Sequence, residues 1–443
     1  MNGPSNTLDD WIASESFSFS LDADASLDLA VDRMIAALDT RVTVLGLGEA
    51  LHGGEALLAF RNRLFFRLVE AHGFSAIAIE SDFLRGRLVD DYIAGTRPGS
   101  LEDVCEAGFS HGFGRLEANR ELVEWMRQYN RDLSHPIPIR FYGVDSPTEM
   151  THAGSPRALL SVSVEYLHSI EGKIGDRERY EHLLTLVGDD TRWENPAAMM
   201  DPAQSVGLSP ETTALRAQVE DLVMELRLLR PVLVTADEIG RYREALFCAE
   251  AARWLLSYHA EAARTSEAGS RIIRMLGMRD VMMADTIAFA SEREEGRGRV
   301  LVFAHNSHLA RRRAEWQLGP HHLAWWPAGP HLDTHLGAGY AVIGSGVVVS
   351  EANGIGRAEV NSLEERLFAD TREGVFIPTH RGRLLDRAAV ETLESRSRSR
   401  RNTTYFPLTP GSIESFDGLF IVGSTEYARG GPPLPTDDTP SSG

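Results

Sequence analysis

The sequence predicts an α/β fold: a three-layer core with a largely parallel or mixed sheet flanked by helices, interrupted by a helical insertion. Short apolar segments that end in glycine or polar residues alternate with longer segments of helical period, which is the pattern of a sheet covered by helices. A middle region has helical patterning without strands. The length of 443 residues exceeds one ordinary hydrophobic core, so a large domain with an insertion, or two domains, is expected.

The first β-α-β unit lies near the amino terminus. The segments RVTVLGLGE (residues 41–49) and SAIAIES (residues 75–81) are short and apolar, as buried strands are. Residues 57–71 between them have the period of an amphipathic helix, and a similar helix is expected at residues 25–38. Further strands are predicted at residues 138–145, 299–308, 340–350, 374–379 and 419–423, and the segment LVEWMRQYN belongs to a helix before the first of these.

These elements divide the chain into four parts. We expect residues 1–147 to form the first part of the α/β core and residues 271–428 the second part. Residues 148–270 predict a helical insertion, in which a Ser-Pro-Glu sequence at 209–211 marks a helix start. Residues 429–443, rich in proline, glycine and small polar residues, predict a disordered tail.

One stretch inside the insertion is not helical in pattern. Residues 189–207 are rich in Asp, Pro and Asn, which predicts a long loop that could lie over a site.

Composition and charge exclude several classes of protein. With 45 Lys and Arg against 64 Asp and Glu, the net charge of −19 would repel a phosphate backbone, so no nucleic-acid partner is expected. The basic run from Arg396 to Arg401 is interpreted as a solvated loop. Two cysteines are too few for a disulfide framework, and no signal peptide or membrane span is recognisable. A cytoplasmic protein without a membrane partner is therefore expected.

Acids and histidines occur where the predicted strands end. Glu49 and His52 follow the first strand, Glu80 ends the second, Asp145 ends the third, and His305 and His308 follow the fourth. In open α/β sheets, ligands bind outside the carboxyl ends of the strands. The pattern therefore predicts an active site in which these side chains converge.

Each of these groups also has a structural interpretation. Glu49 and His52, between glycines, could form only a tight turn, but the spacing also allows the carboxylate to orient the imidazole as a general base. Glu80 ends an apolar strand and needs a partner, for which Arg61 is the candidate; a structural salt bridge is the alternative. His305 and His308 could be core and solvent-facing residues, but their common loop favours chemistry.

No protein nucleophile is recognisable beside these groups. The sequence has no Gly-x-Ser-x-Gly elbow, no dinucleotide fingerprint and no P-loop ending, which leaves serine hydrolases and nucleotide-binding enzymes unsupported. A histidine base that activates water fits best. No cofactor is expected, although His52, His305 and His308 are the ligands to consider if a metal is bound.

The motifs GLGEALHGGE, AIAIESDF, FYGVD and FAHNSHLAR, in this order, resemble those of the erythromycin esterase family. The segments WMRQYN and MRDVMMADTIAF add weaker similarity, and the resemblance extends from about residue 42 to the FDGLFIV segment. Several ordered motifs with compatible spacing make the match specific.

The resemblance implies opening of a macrolactone or related carboxylic ester by water, without a covalent acyl-enzyme. It implies His52 as base, Glu49 as its acidic partner, and Arg61, Glu80, His305 and His308 as further catalytic residues. Supporting or substrate-binding roles are expected for Asp145, Glu55 and Asn306, and the insertion would form a wall of a deep cleft. Leu51 and Ala56 stand where the family commonly has threonine and glutamate, with Glu55 one place early, which affects the entrance or substrate contacts.

Three hypotheses follow for a small-molecule substrate, expected to be a cyclic ester or polyketide-like compound. The first is a hydrolase in which His52 takes a proton from water while Arg61 or a protonated histidine of the later pair stabilises the oxyanion. The second is a natural-product tailoring enzyme that uses the same residues for rearrangement, cyclisation or elimination. The third is a non-catalytic protein that sequesters a ligand.

Overall fold

The strands and helices follow the apolar segments of the sequence closely. A computed structural model describes residues 7–148, 153–170, 177–233, 239–368, 374–385 and 387–434. Its strands are β1 Phe17–Phe19, β2 Val44–Glu49, β3 Phe74–Asp82, β4 Arg140–Asp145, β5 Arg299–His305, β6 Ala314–Leu318, β7 His321–Trp325, β8 Tyr340–Val349, β9 Gly374–Pro378 and β10 Gly418–Ser424.

Helices alternate with these strands in both halves of the core, and a run of helices without strands lies between β4 and β5. They are α1 Leu8–Glu15, α2 Asp24–Ala36, α3 Glu55–Ala71, α4 Phe83–Ile93, α5 Leu101–Gly108, α6 Glu117–Arg131, α7 Arg157–Ser169, α8 Arg177–Val187, α9 Pro210–Leu228, α10 Arg230–Leu233, α11 Ile239–Ala262, α12 Ala268–Glu294, α13 Asn306–Leu309, α14 Ala328–Leu336, α15 Leu363–Leu367, α16 Arg387–Val390 and α17 Ser412–Ser415. No helix within the described ranges combines the length and apolar character needed to cross a bilayer.

Eight strands form one mixed sheet in the order β1-β9-β10-β8-β2-β5-β3-β4. The strands from β10 to β4 in this order are all parallel, and β9 and β1 add antiparallel pairings at one edge. Parallel strands bury both faces, which explains why their sequences are continuous apolar runs. The predicted fold class, a largely parallel or mixed sheet flanked by helices, is confirmed.

Alternate residues of each central strand pack into different cores. In β2, Leu45 and Leu47 belong to an apolar cluster shared with α2, α3 and α6. The neighbouring Val44 belongs to a second cluster, on the other face of the sheet, shared with α12 and α14. Because side chains alternate between the two faces of a strand, this division gives the three layers of helix, sheet and helix.

The region between β4 and β5 carries its own apolar core. Helices α7, α9 and α11 pack together and against α12, which runs for 27 residues back to the sheet. The predicted helix start at Ser209 is confirmed: its side chain accepts the backbone N–H of Thr212, and Pro210 is the first helical residue. Residues 189–207 form three short 3-10 turns, and Ser205 donates to the carbonyl of His259 on α11.

Three features differ from the sequence prediction. The predicted strand at residues 299–308 ends at His305, and residues 306–309 form the short helix α13. Strand β1 and the β6-β7 hairpin were not predicted. Of the tail, predicted to be disordered, residues 429–434 are described and Arg429 contacts Glu55, Glu117 and Glu121; residues 435–443 lie outside the described residues.

Candidate active site

Strand register brings the first and the last of the four predicted motifs together. Glu49 ends β2 directly opposite His305 at the end of the adjacent strand β5. The chain then turns through Gly53, whose φ of 79° is strained for a residue with a side chain. The main chain of His52 is fixed from the carboxyl-terminal segment, because its N–H donates to Thr404 Oγ1 over 2.9 Å and its carbonyl accepts from Asn402. His52 therefore has a fixed position above the carboxyl ends of β2 and β5.

Glu49 and His52 form a carboxylate–imidazole pair. The Nδ1–H of His52 donates to Glu49 Oε2 over 2.8 Å, which leaves Nε2 without a proton in the neutral ring. Nε2 lies 3.9 Å from Glu80 Oε1, beyond direct hydrogen-bond distance. The side chain of His52 is 26% exposed, whereas those of Glu49 and Glu80 are 5% exposed. The accessible group of this pair is therefore the imidazole.

Burial and charge act on His52 in opposite directions. Burial alone would lower the pKa of His52, but the charge of Glu80 and then the hydrogen bond and charge of Glu49 raise that pKa above its ordinary value. Phe113 packs against the imidazole with ring centroids 5.3 Å apart. The surroundings thus favour the protonated form of His52 more than those of an ordinary histidine do.

Glu80 is the buried acceptor at the centre of the site. Its Oε2 accepts the backbone N–H of His305 over 2.8 Å, and its Oε1 lies 3.3 Å from both Arg279 Nη2 and His308 Nε2. Burial alone would raise the pKa of Glu80, but the positive charges of His308, His52 and Arg279 hold it well below its ordinary value. Glu80 is therefore an anion at neutral pH.

Arg61 is not the partner of Glu80, so that predicted pairing is wrong. Fully buried on α3, Arg61 donates to the side chains of Asn62 and Asn119, and its guanidinium lies 4.9 Å from the centroid of the Phe303 ring. Burial lowers the pKa of Arg61 to about 10, so the cation persists at neutral pH. Arg61 does line the same small internal cavity as Glu49 and Glu80, and its positive field reaches Glu49. The pairing failed because α3 turns this side chain toward α6 rather than along the strand end.

His308 is held between two carboxylates. Its Nδ1–H donates to Asp280 Oδ1 over 2.6 Å, and Nε2 faces Glu80. Burial opposes the charged form, but Asp280 and Glu80 outweigh it and raise the pKa of His308 to about 10. Asp280 is itself fixed by Trp325, whose indole N–H donates to Oδ2 over 2.6 Å. His308 is therefore an imidazolium over the physiological range.

His305 has the opposite character. Its Nε2–H donates to the carbonyl of Thr404 over 2.7 Å, and its Nδ1 accepts from the side chain and backbone N–H of Ser307. Burial and then the charge of His52 lower the pKa of His305 to about 3. Both nitrogens of this neutral ring are occupied, so His305 ties the Thr404 segment to β5 and caps α13.

Asp145, predicted as a supporting acid, anchors Arg279. The carboxylate accepts Arg279 Nε over 3.0 Å and Nη2 over 2.6 Å, and it also lies 3.1 Å from His111 Nε2. Burial opposes ionisation, but Arg279 and His111 lower the pKa of Asp145. His111 adopts a positive φ of 56°, a conformation that costs energy for a residue with a side chain. Asp145 thus supports Glu80 through the shared arginine.

Two further predicted residues are placed away from the base. Glu55 begins α3 and its Oε1 accepts Arg429 Nε over 2.7 Å, which attaches the carboxyl-terminal segment. Asn306 is fully buried, with Nδ2 donating to the carbonyl of Ser345 over 2.8 Å and Oδ1 accepting the N–H of the same residue. The side-chain hydrogen bonds given for Asn306 in the described residues therefore join the start of α13 to β8, so its predicted role in substrate binding has no geometric support.

We expect Asn306→Ala to lower the free energy of unfolding by about 2–3 kcal/mol, because the buried N–H and C=O of Ser345 lose their partner. The Michaelis constant of the folded variant should stay unchanged. Urea unfolding and steady-state kinetics measure the two quantities. Gln128→Ala, which removes an exposed amide on α6, is the control and should change stability by less than about 0.5 kcal/mol. A raised Michaelis constant with unchanged stability would restore the substrate-binding role.

The three histidines considered as metal ligands do not converge. Within the described ranges, no group of three His, Cys, Asp or Glu side chains is arranged to hold a metal ion. The nitrogens of His305 and His308 are directed at Thr404, Ser307, Asp280 and Glu80 instead. The absence of a cofactor stays a prediction.

Sequence reasoning missed the second layer of the site, namely Arg279, Asp280, His111, Thr404 and Trp325. A signal did exist for the first two, because both lie in the MRDVMMADTIAF segment that resembles the family. On sequence alone, their charges within a helical segment are typical of a solvated helix face. Only the packing of α12 across the sheet end shows that both are buried.

The fold and site together define a class: α/β proteins with a carboxylate–imidazole centre at the carboxyl ends of parallel strands. The family model described as erythromycin esterase matches residues 69–425, most of the chain. The protein therefore belongs to the erythromycin esterase family. This membership supports a hydrolase that acts on an ester. The matched range includes Glu80, Asp145, His305 and His308 and begins after Glu49 and His52.

One sequence relative and two solved structures resemble the chain. The chain is 23% identical to the erythromycin esterase type II of Escherichia coli over 311 residues, which are 69% of this chain and 68% of the relative. It is similar in fold to a Bacillus cereus protein, with a TM-score of 0.69, 17% identity and coverage of 97% and 100% of the two chains. A mutant of the erythromycin esterase EreC in its open conformation has a TM-score of 0.65 and 18% identity, with coverage of 93% of this chain and 98% of the other.

Another solved structure of similar fold belongs to a protein with a different described role. A succinoglycan biosynthesis protein has a TM-score of 0.68 and 18% identity, with 95% of this chain and 97% of the other covered. At such identities the structural likeness establishes the fold alone.

Proposed function

We propose that the protein opens a macrolactone or a related carboxylic ester with a water molecule activated by His52, without a covalent acyl-enzyme. The observation that carries this proposal is the geometry of His52: Glu49 fixes Nδ1–H, and Nε2 points toward the site at 3.9 Å from Glu80. A single water can bridge two polar atoms at this separation. Nε2 would take the proton while Glu80 helps to hold the water.

The described hydroxyl groups near His52 are not activated as nucleophiles. The hydroxyl of Thr404 donates to Asn402 and accepts the N–H of His52. Ser307 contacts Nδ1 of His305, but the pKa of His305, about 3, makes that imidazole too weak a base to activate the hydroxyl. Burial raises the pKa of Cys105 to about 11 and that of Cys248 to about 12, so both remain thiols. These observations favour direct attack by water.

The oxyanion that forms on the ester carbonyl needs positive charge nearby. His308, an imidazolium at neutral pH, supplies it in this proposal, and Arg279 adds to the field from behind Glu80. Arg61 contributes through its field on Glu49 rather than by contact, because its guanidinium is bonded to Asn62 and Asn119. General base catalysis supplies about 10²–10⁴-fold, so this electrostatic contribution is required.

The proposal predicts the sign of the pH dependence. Because the base form of His52 is needed, kcat/KM should rise with pH through an inflection above 6.5, the ordinary value of the histidine pKa. In Glu49→Gln, the amide oxygen still accepts Nδ1–H but the negative charge is lost. We therefore expect a lower kcat and an inflection moved to lower pH, measured in kcat/KM profiles.

Glu55→Gln is the matched control for this profile. It removes an acid in the same loop region whose partner is Arg429 and not the base. Its inflection should coincide with that of the unaltered protein. An inflection that stays fixed in Glu49→Gln would show that Glu49 does not set the pKa of the base.

A panel of macrolactones and simple aryl esters in ¹⁸O-labelled water tests the reaction itself. Hydrolysis must place one solvent oxygen in the carboxylic acid, which mass spectrometry of the product detects. An isomerised or dehydrated product without ¹⁸O would overturn the proposal and support a tailoring enzyme. Tight binding of the panel without any product would support a protein that sequesters its ligand.

A further inference from the structure

An open apolar groove lies between α11, α12 and the β6-β7 hairpin. Its volume is about 420 Å³, within the range of about 300–1,000 Å³ that is usual for small-molecule sites. Its apolar surface is formed by Trp254 of α11, Met278 and Val281 of α12, Trp325 at the end of the hairpin and Trp326 directly after it. The groove is therefore large enough for a compact ring-containing molecule.

The groove exposes side chains that proteins usually bury. Trp326 is 53% exposed and Val281 is 37% exposed. Three of the seven tryptophans of the chain line this groove. The hairpin itself buries only a small apolar cluster against α12. Of the three rings, Trp326 is exposed, Trp254 is half-buried and Trp325 is buried. Aromatic rings that line an open groove in this way are typical of ligand and partner sites.

The charged lining has one sign in a protein of the opposite sign. The chain has a net charge of −19. Within the described residues, however, no Asp or Glu lines the groove, and its charged side chains are Arg274 and Arg313. Arg274 is paired with Glu261 over 3.0 Å. Arg313 has no carboxylate within 4 Å in the described part of the chain; it donates to the carbonyl of Ala324 and lies 5.8 Å from the centroid of the Trp326 ring. Charge complementarity therefore points to an anion beside Trp326.

One wall separates this groove from the His52–Glu80 centre. Helix α12 turns Arg279 and Asp280 inward to the site, while Met278 and Val281 face the groove. Trp325 belongs to both places, because its ring lines the groove and its indole N–H donates to Asp280, the partner of His308. The groove is thus a distinct space in contact with a catalytic support.

We propose that this groove is a second ligand site, which binds an apolar, ring-containing carboxylate. The ring system packs against Trp326 and Trp254, and the carboxylate pairs with Arg313. The proposal goes beyond ester hydrolysis and does not depend on it, because neither the base nor Glu80 lines the groove.

Isothermal titration with 2-naphthoate, and with the neutral 2-naphthylmethanol as its matched probe, tests the site. We expect one saturable naphthoate site per chain. Trp326→Ala should weaken naphthoate binding by about tenfold or more, because the ligand loses its aromatic contact and Arg313 loses the ring beside it. Arg313→Gln should weaken the binding of naphthoate but leave that of the alcohol unchanged.

Three control variants should bind naphthoate like the unaltered protein. Met224→Ala removes an apolar side chain that is 63% exposed on α9, and Arg97→Gln removes an exposed arginine elsewhere. His52→Asn alters the catalytic base. Loss of binding in His52→Asn would place the ligand in the catalytic centre and overturn the proposal. So would an absence of saturable binding, full binding by Trp326→Ala and Arg313→Gln, or a dimer that dissociates on Trp326→Ala.

Discussion

His52→Asn is expected to reduce kcat for ester hydrolysis by about 10²–10⁴-fold, the usual contribution of a positioned general base. Asparagine is close in size but cannot take a proton from water at neutral pH. The stability of the fold should change little, because the described contacts of this side chain are one hydrogen bond to Glu49, a 3.9 Å approach to Glu80, and ring packing against Phe113 and His305. Steady-state kinetics on purified, folded variant give the result.

His322→Asn is the matched control for the loss of an imidazole. His322 lies on the β6-β7 hairpin with a 64% exposed side chain, and its nearest described acid is Glu315 at 3.6 Å. Its kcat should equal that of the unaltered protein. Full turnover by His52→Asn would remove His52 from the role of base.

Glu80→Gln is expected to affect both stability and catalysis. The substitution keeps the shape of the side chain but leaves the cations of Arg279 and His308 with one carboxylate fewer. Breaking a buried charge pair from one side typically costs about 3–5 kcal/mol, so we expect a loss of this order in the free energy of unfolding. Denaturant titration measures it.

The same variant has a kinetic signature that instability alone cannot produce. Glu80 is the largest contributor that raises the pKa of His52, so its neutralisation should move the rising limb of kcat/KM to lower pH. Glu295→Gln, an exposed site in the described chain, should leave the limb in place and change stability by less than about 0.5 kcal/mol. An unmoved limb and unchanged stability in Glu80→Gln would contradict the central place given to Glu80.

The sheet and the first layer of the site were within reach of sequence reasoning. Strands buried on both faces are apolar runs, and the polar residues that end them are conspicuous, so the strands before Glu49, Glu80 and Asp145 could be recognised. The sequence also allowed His305 and His308 to be named as a pair. The different protonation states of the two histidines could not be predicted, because they depend on Thr404, Asp280 and other groups distant in the chain.

Side-chain direction was the main limit. Arg61 was expected to meet Glu80 because it lies on the connecting helix, but nothing in a single sequence reveals which way a helix turns a buried residue. The same limit applies to Arg396 in the basic run interpreted as solvated. Its side chain is 2% exposed and donates to the carbonyls of Val347 and Gly356 and to Glu359.

Hairpin β6-β7 shows a second limit. Its strands are five residues each, partly polar, and joined at Gly319 with a positive φ of 52°. Its apolar residues, such as Leu323, find their partners on α12, which is remote in sequence. A short amphipathic pair of this kind becomes recognisable only when the surface that covers it is known.

The central claim, direct attack by water activated by His52, is tested most directly by a single turnover in ¹⁸O-labelled water, with enzyme in excess over a lactone substrate. Intact-protein and product mass spectrometry follow the reaction from quenched samples. We predict one ¹⁸O in the product acid and an unchanged protein mass at every time point. A transient protein mass increased by the acyl group, or ¹⁸O incorporated into a protein carboxylate such as Glu49 or Glu80, would contradict it.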